Sequence, residues 1–292
     1  MNIERIAAFS RDKVGGNPAG VVLQDGTARD DEMARTAAEV GYSETAFAHP
    51  VGQRTDTWRV RYFAPEAEVP FCGHATIALG AVLGRHYGAG TYRLVLNDVE
   101  ITVEAGAGEG ESGMGATLTS PPTQSRAANP AERDDGLALF ALTGEDLDER
   151  LPPARIHAGA DHLLLALRDR ARLAAISYDL EEGRETMRRH GFVTIMLVHV
   201  EENRMFIARN AFASGGVVED PATGAAAAAF AGYLRDRDWQ HGGHITIAQG
   251  EDMGMPSLIH VRLSDIAGSP VQVSGQAHEI DGGRSMRQYS RS

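Results

Sequence analysis

Four side chains of this sequence have types and positions suited to holding or moving a proton: Glu44, Cys72, His74 and Asp220. Glu44 stands between two hydroxyl residues, where a polar turn passes into an apolar strand. Partial desolvation there would raise the pKa of the carboxyl group and let it act as a general acid or base near neutral pH. The simpler interpretation of Glu44 is a solvent-exposed glutamate in a turn.

Cys72 and His74 stand at the predicted start of a small-residue helix that runs from about His74 to Tyr87. The positive end of a helix dipole favours a thiolate and disfavours an imidazolium, so a reactive thiol and a neutral ring are expected. A neutral ring can orient a carboxylate or donate a hydrogen bond to a substrate oxygen. The simpler interpretations are a small buried hydrophobic residue for Cys72 and a histidine satisfied by its neighbours for His74.

Asp220 precedes a second small-residue helix, predicted from about Thr223 to Arg235, and its simplest role is an N-cap. The segment around Asp220 repeats the pattern of the segment around Cys72 roughly 148 positions later. In both, an extended run is followed by the start of a small-residue helix. The repeat predicts two similar lobes, each of which aims the N-terminus of a central helix at one shared cleft. Two such helix ends would bind an anion and stabilise an enolate or oxyanion.

Short strands outnumber helices in the remaining sequence, which predicts an α+β fold because no strand–helix–strand alternation is sustained. The polar residues 120–135, with Pro121-Pro122, predict a linker. We therefore expect an N-terminal lobe of residues 1–120 and a C-terminal lobe of residues 121–292. It stays open whether the last strand packs on the N-terminal lobe.

Composition narrows the possible classes. The chain has 292 residues, of which 42% are hydrophobic, and a formal net charge of −12, which argues against nonspecific nucleic-acid binding. No apolar run reaches membrane-spanning length, and no secretory signal is recognised at the start. The single cysteine excludes an intramolecular disulfide and a cysteine-rich metal site, and the histidines lack clear metal-ligand spacing. We expect a cytoplasmic protein without a metal site.

Five segments of the chain, in order, resemble motifs of the PhzF family, the phenazine-biosynthesis isomerase and its relatives. These segments are Gly16-Asn17-Pro18-Ala19-Gly20-Val21-Val22, Ser43-Glu44-Thr45-Ala46-Phe47, Pro70-Phe71-Cys72-Gly73-His74-Ala75-Thr76, Gly216-Val217-Val218-Glu219-Asp220-Pro221-Ala222-Thr223-Gly224, and Gln249-Gly250 with Met253-Gly254-Met255-Pro256-Ser257. Each string alone is weak evidence, but five in the same order are specific, and they cover nearly the whole chain.

The resemblance implies a diaminopimelate-epimerase-like fold of two pseudo-symmetric lobes, each a β-rich half-barrel around a central helix, with the site between them. It implies a cofactor-independent proton shift on a small anionic carboxylate, and commonly a homodimer. The implied catalytic residues are Glu44 as the acid/base, with His74 and Asp220. The implied substrate-binding residues are Asn17, Cys72, Gly73, Thr223 and Gly224.

The sequence departs from the phenazine enzyme at several motif positions. Cys72 stands where that enzyme has alanine, Ala225 where it has serine, and Met255 where it has arginine. Each lost charge-assisted contact would weaken binding of the phenazine intermediate by about 1–3 kcal/mol. We therefore expect a different small carboxylated substrate.

The leading hypothesis is a PhzF-like isomerase that uses Glu44 as the proton shuttle. One alternative is an amino-acid epimerase that uses Cys72 opposite Asp220, since diaminopimelate epimerase has a catalytic cysteine at the place of Cys72. A two-cysteine mechanism is excluded because Asp220 takes the place of the second cysteine. The other alternative is a non-catalytic protein that binds small carboxylates.

Overall fold

The structure is a computed structural model that describes residues 2–52, 54, 56–65, 67–106 and 114–280. The chain divides into two compact units. Unit 1 comprises the chain up to Thr119 together with the segment that starts at Ser274, and unit 2 comprises Ser120–Val273. The predicted boundary at 120–121 lies beside this first division, whereas the residues from 274 onward group with unit 1.

Unit 1 contains eight principal strands, one two-residue strand and two helices in its described part. The strands are β1 (Glu4–Ser10), β2 (Asn17–Leu23), β3 (Glu44–Pro50), β4 (Thr57–Phe63), β5 (Glu68–Val69), β6 (Gly90–Val95), β7 (Glu100–Gly106), β8 (Gly115–Thr119) and, at the end of the chain, β16 (Gln272–Glu279); the helices are α1 (Asp30–Val40) and α2 (Gly73–Tyr87).

The principal strands of unit 1 form a closed ring around α2. Their order is β1-β2-β3-β4-β6-β7-β8-β16, and β16 pairs antiparallel with β1 to complete the circuit. Helix α2 is apolar on all sides and is buried from His74 to Leu83, as expected of a helix enclosed by a sheet. Gly80 permits this close packing, because a Cβ there would lie 2.7 Å from Val103 Cγ2 and 2.8 Å from Ala116 Cβ.

Unit 2 contains seven strands and four helices. The strands are β9 (Gln124–Ala127), β10 (Ala154–His157), β11 (Asp161–Leu167), β12 (Thr194–Glu202), β13 (Met205–Ala211), β14 (His244–Gln249) and β15 (Ser257–Arg262); the helices are α3 (Pro130–Leu139), α4 (Arg170–Ala174), α5 (Leu180–His190) and α6 (Gly224–Asp236).

The seven strands of unit 2 are neighbours in chain order, and both faces of the sheet are covered. Strands β11 and β12 pair in parallel, and β11 is almost continuously apolar because it is buried on both faces. One face packs against α3, α4 and α5, with Leu165 and Leu197 in the shared core. Helix α6 packs against β9, β10, β11 and β15, and all its residues from Ala226 to Arg235 are buried.

The fold is α+β with a central apolar helix in each unit, which confirms the predicted class. The two predicted small-residue helices exist as α2 and α6, with ends within one residue of the predicted ones. The predicted linker at 120–135 is wrong, because it contains β9 and the start of α3. Strand β10 and helices α3 and α4 were not predicted. Among the described residues, no helix is both long and apolar enough to cross a membrane.

Candidate active site

Glu44 and α2 meet at one end of the ring in unit 1. Glu44 is the first residue of β3, which runs parallel to β2 with Glu44 opposite Ala19, so the starts of these two strands lie at the same end. Asn17, the first residue of β2, is therefore at this end too, and it is buried. Pro18 follows it as the second residue of the same strand.

The side chain of His74 is the centre of the candidate site. Its Nε2 lies 3.2 Å from Glu44 Oε2 and 3.3 Å from Ser43 Oγ. Its Nδ1 lies 3.4 Å from Cys72 Sγ, and its Nε2 lies 3.8 Å from the same sulfur. The side chains of Glu44 and His74 are only 13% and 8% exposed, so three groups that can carry a proton share a largely dry environment.

Glu44 is thus no exposed turn residue, and its carboxylate is incompletely satisfied. Although Oε2 is within ion-pair distance of His74, it is buried and has no aligned hydrogen bond from any residue that the structure describes. A buried carboxylate oxygen without a hydrogen bond costs free energy, and such groups recur where a site must accept a ligand or a proton. The Glu44 carboxylate is therefore able to change its partner.

Hydrogen bonds between uncharged groups hold the start of α2 in place. Cys72 is the N-cap in an extended conformation, and its carbonyl accepts hydrogen bonds from the Thr76 backbone N–H and, at 2.7 Å, from Thr76 Oγ1. The hydroxyl of Tyr62 lies 2.6 Å from Thr76 Oγ1, and burial raises the pKa of Tyr62 well above its ordinary value. A Cβ built on Gly73 would meet none of the described atoms within 4 Å, so the space beside this helix start is open.

Unit 2 holds Asp220 in a tight network at the start of α6. Thr223 Oγ1 donates to Asp220 Oδ2. The side-chain amide of Gln249 donates from Nε2 to the Asp220 carbonyl at 2.7 Å and to Thr223 Oγ1 at 3.1 Å, and its Oε1 accepts from the Thr223 backbone N–H at 3.3 Å. The network fixes the Asp220 carboxylate and the turn that leads into the helix.

The N-cap interpretation of Asp220 is wrong. Helix α6 begins at Gly224 and its N-cap is Thr223, so Thr223, not Asp220, occupies the position that Cys72 occupies before α2. The sequence repeat pairs Cys72 with Asp220, whereas the structure pairs Cys72 with Thr223, three residues later. Pro221 and Ala222 are non-helical residues that lie between Asp220 and the cap. Matching residue types cannot detect such an insertion.

The predicted site residues therefore form two sets. Glu44, Cys72, Gly73 and His74 come together in unit 1, with Asn17 at the same end of the ring; Asp220, Thr223 and Gly224 come together in unit 2. The structure adds the supporting role of Gln249, which the sequence signalled only as part of a motif. It also shows that Glu44, Cys72 and His74 each offer a metal-binding atom within 4.8 Å of the others. The separation of 28 residues between Glu44 and Cys72 hid this grouping in the sequence.

Comparison with known proteins gives consistent similarities over nearly the whole chain. Residues 6–282 match the PhzC-PhzF family, described as phenazine biosynthesis-like protein. An uncharacterized isomerase of Deinococcus radiodurans is 32% identical over 288 residues, which cover 93% of this chain and 90% of the relative. The trans-2,3-dihydro-3-hydroxyanthranilate isomerase of Pseudomonas chlororaphis is 27% identical over 289 residues, 96% of each chain.

The fold has solved counterparts as well. The crystal structure of a PhzF-family phenazine biosynthesis protein from Bacillus anthracis superposes with a TM-score of 0.82 over 96% of both chains, at 20% sequence identity. At this identity the likeness concerns the fold, and it matches the α+β arrangement described above.

Proposed function

Because the chain belongs to the PhzC-PhzF family and is an isomerase, we propose that it moves a proton between carbon atoms of a small carboxylated substrate, with Glu44 as the general acid and base. The proposal needs no cofactor, because a single carboxyl group can take the proton from one carbon and return it to another. General acid–base catalysis of this kind contributes about 10²–10⁴-fold to a rate.

The observation that carries the proposal is the buried contact of 3.2 Å between Glu44 Oε2 and His74 Nε2. A shuttle must be shielded from water, must change protonation during the cycle, and must be held by a group that tolerates both states. The imidazole beside Glu44 can donate to the carboxylate or accept from the carboxylic acid, depending on its tautomer. The buried Oε2 has no aligned hydrogen bond from the described residues and is therefore available for a substrate proton.

The N-terminus of α2 supplies the electrostatic part of the proposed mechanism. Its first backbone N–H groups lack partners within the helix and carry roughly +0.5 charge, which favours a carboxylate or a developing enolate. The open space beside Gly73 lets such a group approach the backbone. We assign Gly73 and Asn17 to substrate binding on this basis.

A second set of roles is proposed from unit 2. Asp220 is held by Thr223 and Gln249 in one orientation, so we assign it as a fixed negative charge or hydrogen-bond acceptor in the reaction rather than as the moving base. Thr223 and Gly224 at the start of α6 are assigned to substrate binding. The substrate is a small carboxylate, and the departures at Ala225 and Met255 favour one other than the compound named for the Pseudomonas chlororaphis enzyme. We also propose a cytoplasmic homodimer.

The decisive experiment follows deuterium. Wild-type protein is incubated in heavy water with a panel of small unsaturated and amino carboxylic acids, trans-2,3-dihydro-3-hydroxyanthranilate among them, and carbon-bound deuterium is measured by NMR. We expect incorporation into at least one compound, and a Glu44→Gln variant with a rate about 10²–10⁴-fold lower and an unchanged thermal transition. Wild-type rates in the Glu44→Gln variant would show that Glu44 is not the base.

One observation favours a second candidate function, an epimerase that uses the thiol of Cys72. Its Sγ lies 3.4 Å from His74 Nδ1, and the N-terminus of α2, where Cys72 is the N-cap, favours the thiolate that would remove a Cα proton. This function predicts exchange at the Cα position of an amino acid and rapid inactivation by thiol alkylation. Full activity of a Cys72→Ala variant on the same substrate would exclude it.

A further inference from the structure

We propose that Glu44, Cys72 and His74 also form a binding site for a thiophilic divalent cation such as Zn²⁺, and that the bound ion inhibits the isomerase reaction. Among the described residues this is the single group of three histidine, cysteine or acidic side chains whose ligand atoms converge, with all three atoms within 4.8 Å of one another. The metal site goes beyond the isomerase function and does not depend on the identity of the substrate, whereas the inhibition rests on the proposed role of Glu44 as the base.

Two of the three separations between ligand atoms are close to those of a zinc coordination sphere. Zinc bonds of about 2.0–2.3 Å at tetrahedral angles place neighbouring ligand atoms about 3.4–3.6 Å apart. Glu44 Oε2 lies 3.2 Å from His74 Nε2, and Cys72 Sγ lies 3.8 Å from the same nitrogen. Both separations are within a few tenths of an ångström of these values, and the third, between the ligand atoms of Glu44 and Cys72, is at most 4.8 Å.

The chemistry of the three groups favours zinc and its soft relatives over magnesium or calcium. A thiolate and an imidazole are preferred ligands of Zn²⁺, Co²⁺ and Cd²⁺, whereas Mg²⁺ and Ca²⁺ prefer oxygen atoms. Ionised Cys72 and Glu44 together supply two negative charges to balance the cation. The ion would also give the buried Oε2 of Glu44 the partner that the described residues do not provide.

The surroundings of the three ligands limit the affinity for the cation and determine how its binding affects the reaction. Because the positive end of α2 opposes a cation, we expect reversible binding, weaker than at a structural zinc centre. Binding displaces one proton from the Cys72 thiol and occupies the lone pair of the Glu44 oxygen. Glu44 can then no longer accept a substrate proton, so the ion acts as an inhibitor. The prediction that catalysis itself uses no metal stays compatible with this site.

Cobalt titration tests the site without any substrate. Chelator-treated, reduced wild-type protein is titrated with Co²⁺ and monitored by absorption, because a cysteine ligand produces a thiolate-to-cobalt charge-transfer band. We expect one ion per chain with this band, and displacement of Co²⁺ by one equivalent of Zn²⁺. A Cys72→Ala variant should lack the band and bind Zn²⁺ roughly 100-fold more weakly in calorimetry, because loss of even an outer-shell partner of a metal ligand costs about 10–100-fold in affinity.

Two further variants keep the test specific. A His244→Gln variant, which removes an exposed histidine of unit 2, should bind like the wild type. A Glu44→Gln variant should keep the charge-transfer band but bind Zn²⁺ at least tenfold more weakly. A Cys72→Ala variant with unchanged cobalt spectrum and zinc affinity would overturn the proposal, as would a folded wild type without the band.

Discussion

Two buried histidines, His74 of unit 1 and His162 of unit 2, have opposite surroundings. In unit 1, His74 lies against a carboxylate and a thiol, beside the open space at a helix start. In unit 2, His162 is completely buried, and its Nδ1 lies 2.7 Å from the neutral hydroxyl of Thr194. Burial lowers the pKa of His162 to about 4. The first histidine is placed among groups that exchange protons, whereas the second is kept neutral.

The carboxylates beside the starts of α2 and α6 also differ in how far they are hydrogen-bonded. The carboxylate of Glu44 has a buried oxygen without an aligned hydrogen bond from the described residues, whereas the carboxylate of Asp220 accepts from Thr223, which Gln249 holds in turn. A hydrogen-bonded network holds its members in place, whereas a buried oxygen without a hydrogen bond can accept a new partner. This difference is the reason for proposing Glu44 of unit 1 as the proton shuttle and Asp220 of unit 2 as a fixed polar group.

Replacing His74 should have the largest effect of the variants that probe this contrast. A His74→Asn variant leaves Glu44 without its nearest partner, and we expect kcat to fall about 100-fold or more, because loss of an acid–base element costs about 10²–10⁴-fold. The measurement is the rate of deuterium incorporation under saturating substrate. A His86→Asn variant, at the exposed end of the same helix, serves as the control; equal rates in both variants would remove His74 from the mechanism.

Removing Gln249 should mainly reduce stability. A Gln249→Leu variant leaves the Asp220 carbonyl and the Thr223 N–H and Oγ1 without their Gln249 contacts. Thr223 Oγ1 keeps its hydrogen bond to Asp220, so two groups lose their partner. At about 1–3 kcal/mol for each, we expect the free energy of unfolding to fall by roughly 2–6 kcal/mol in urea titrations. An exposed matched control is Gln272→Leu. A loss no greater than that of the control would mean that the network does not hold the helix start.

The smallest effect is a pH dependence that comes from His162. Its folded pKa of about 4 is below its ordinary value of 6.5, so the unfolded chain takes up this proton first. The stability contributed by the neutral ring is complete above pH 6.5 and is lost as the pH falls from 6.5 towards 4. At pH 5 we expect a loss of about 1–2 kcal/mol relative to pH 7.

The check on His162 is a set of urea titrations between pH 7 and pH 5. A His162→Leu variant should lose less stability over this interval than the wild type, even if its stability at pH 7 is lower because Thr194 loses its partner. A His244→Gln variant should retain the wild-type slope. If all three proteins show the same slope, the buried histidine is not the source of the acid sensitivity.

Much of the fold was predictable because its signals are local. Helix α1 starts at Asp30 and ends before Gly41, which adopts the left-handed conformation that glycine favours. The small and apolar residues of α2 indicated a helix, and the many short strand-like runs indicated a fold dominated by strands. The prediction of a linker at residues 120–135 was wrong because the start of α3 is polar. Its capping residue Asn129 and the polar residues after it resemble a linker in the sequence.

The sequence by itself determined the residue types of the candidate site and the fact that two buried helices begin beside them. Only the tertiary structure brought Glu44 to His74, placed Thr223 rather than Asp220 at the cap, and attached Gln249 to both. The physical reason is that helix caps and apolar patterns act within a few residues. The contact between Glu44 and His74, by contrast, depends on the closure of the unit 1 ring, in which strands distant in sequence pair around α2.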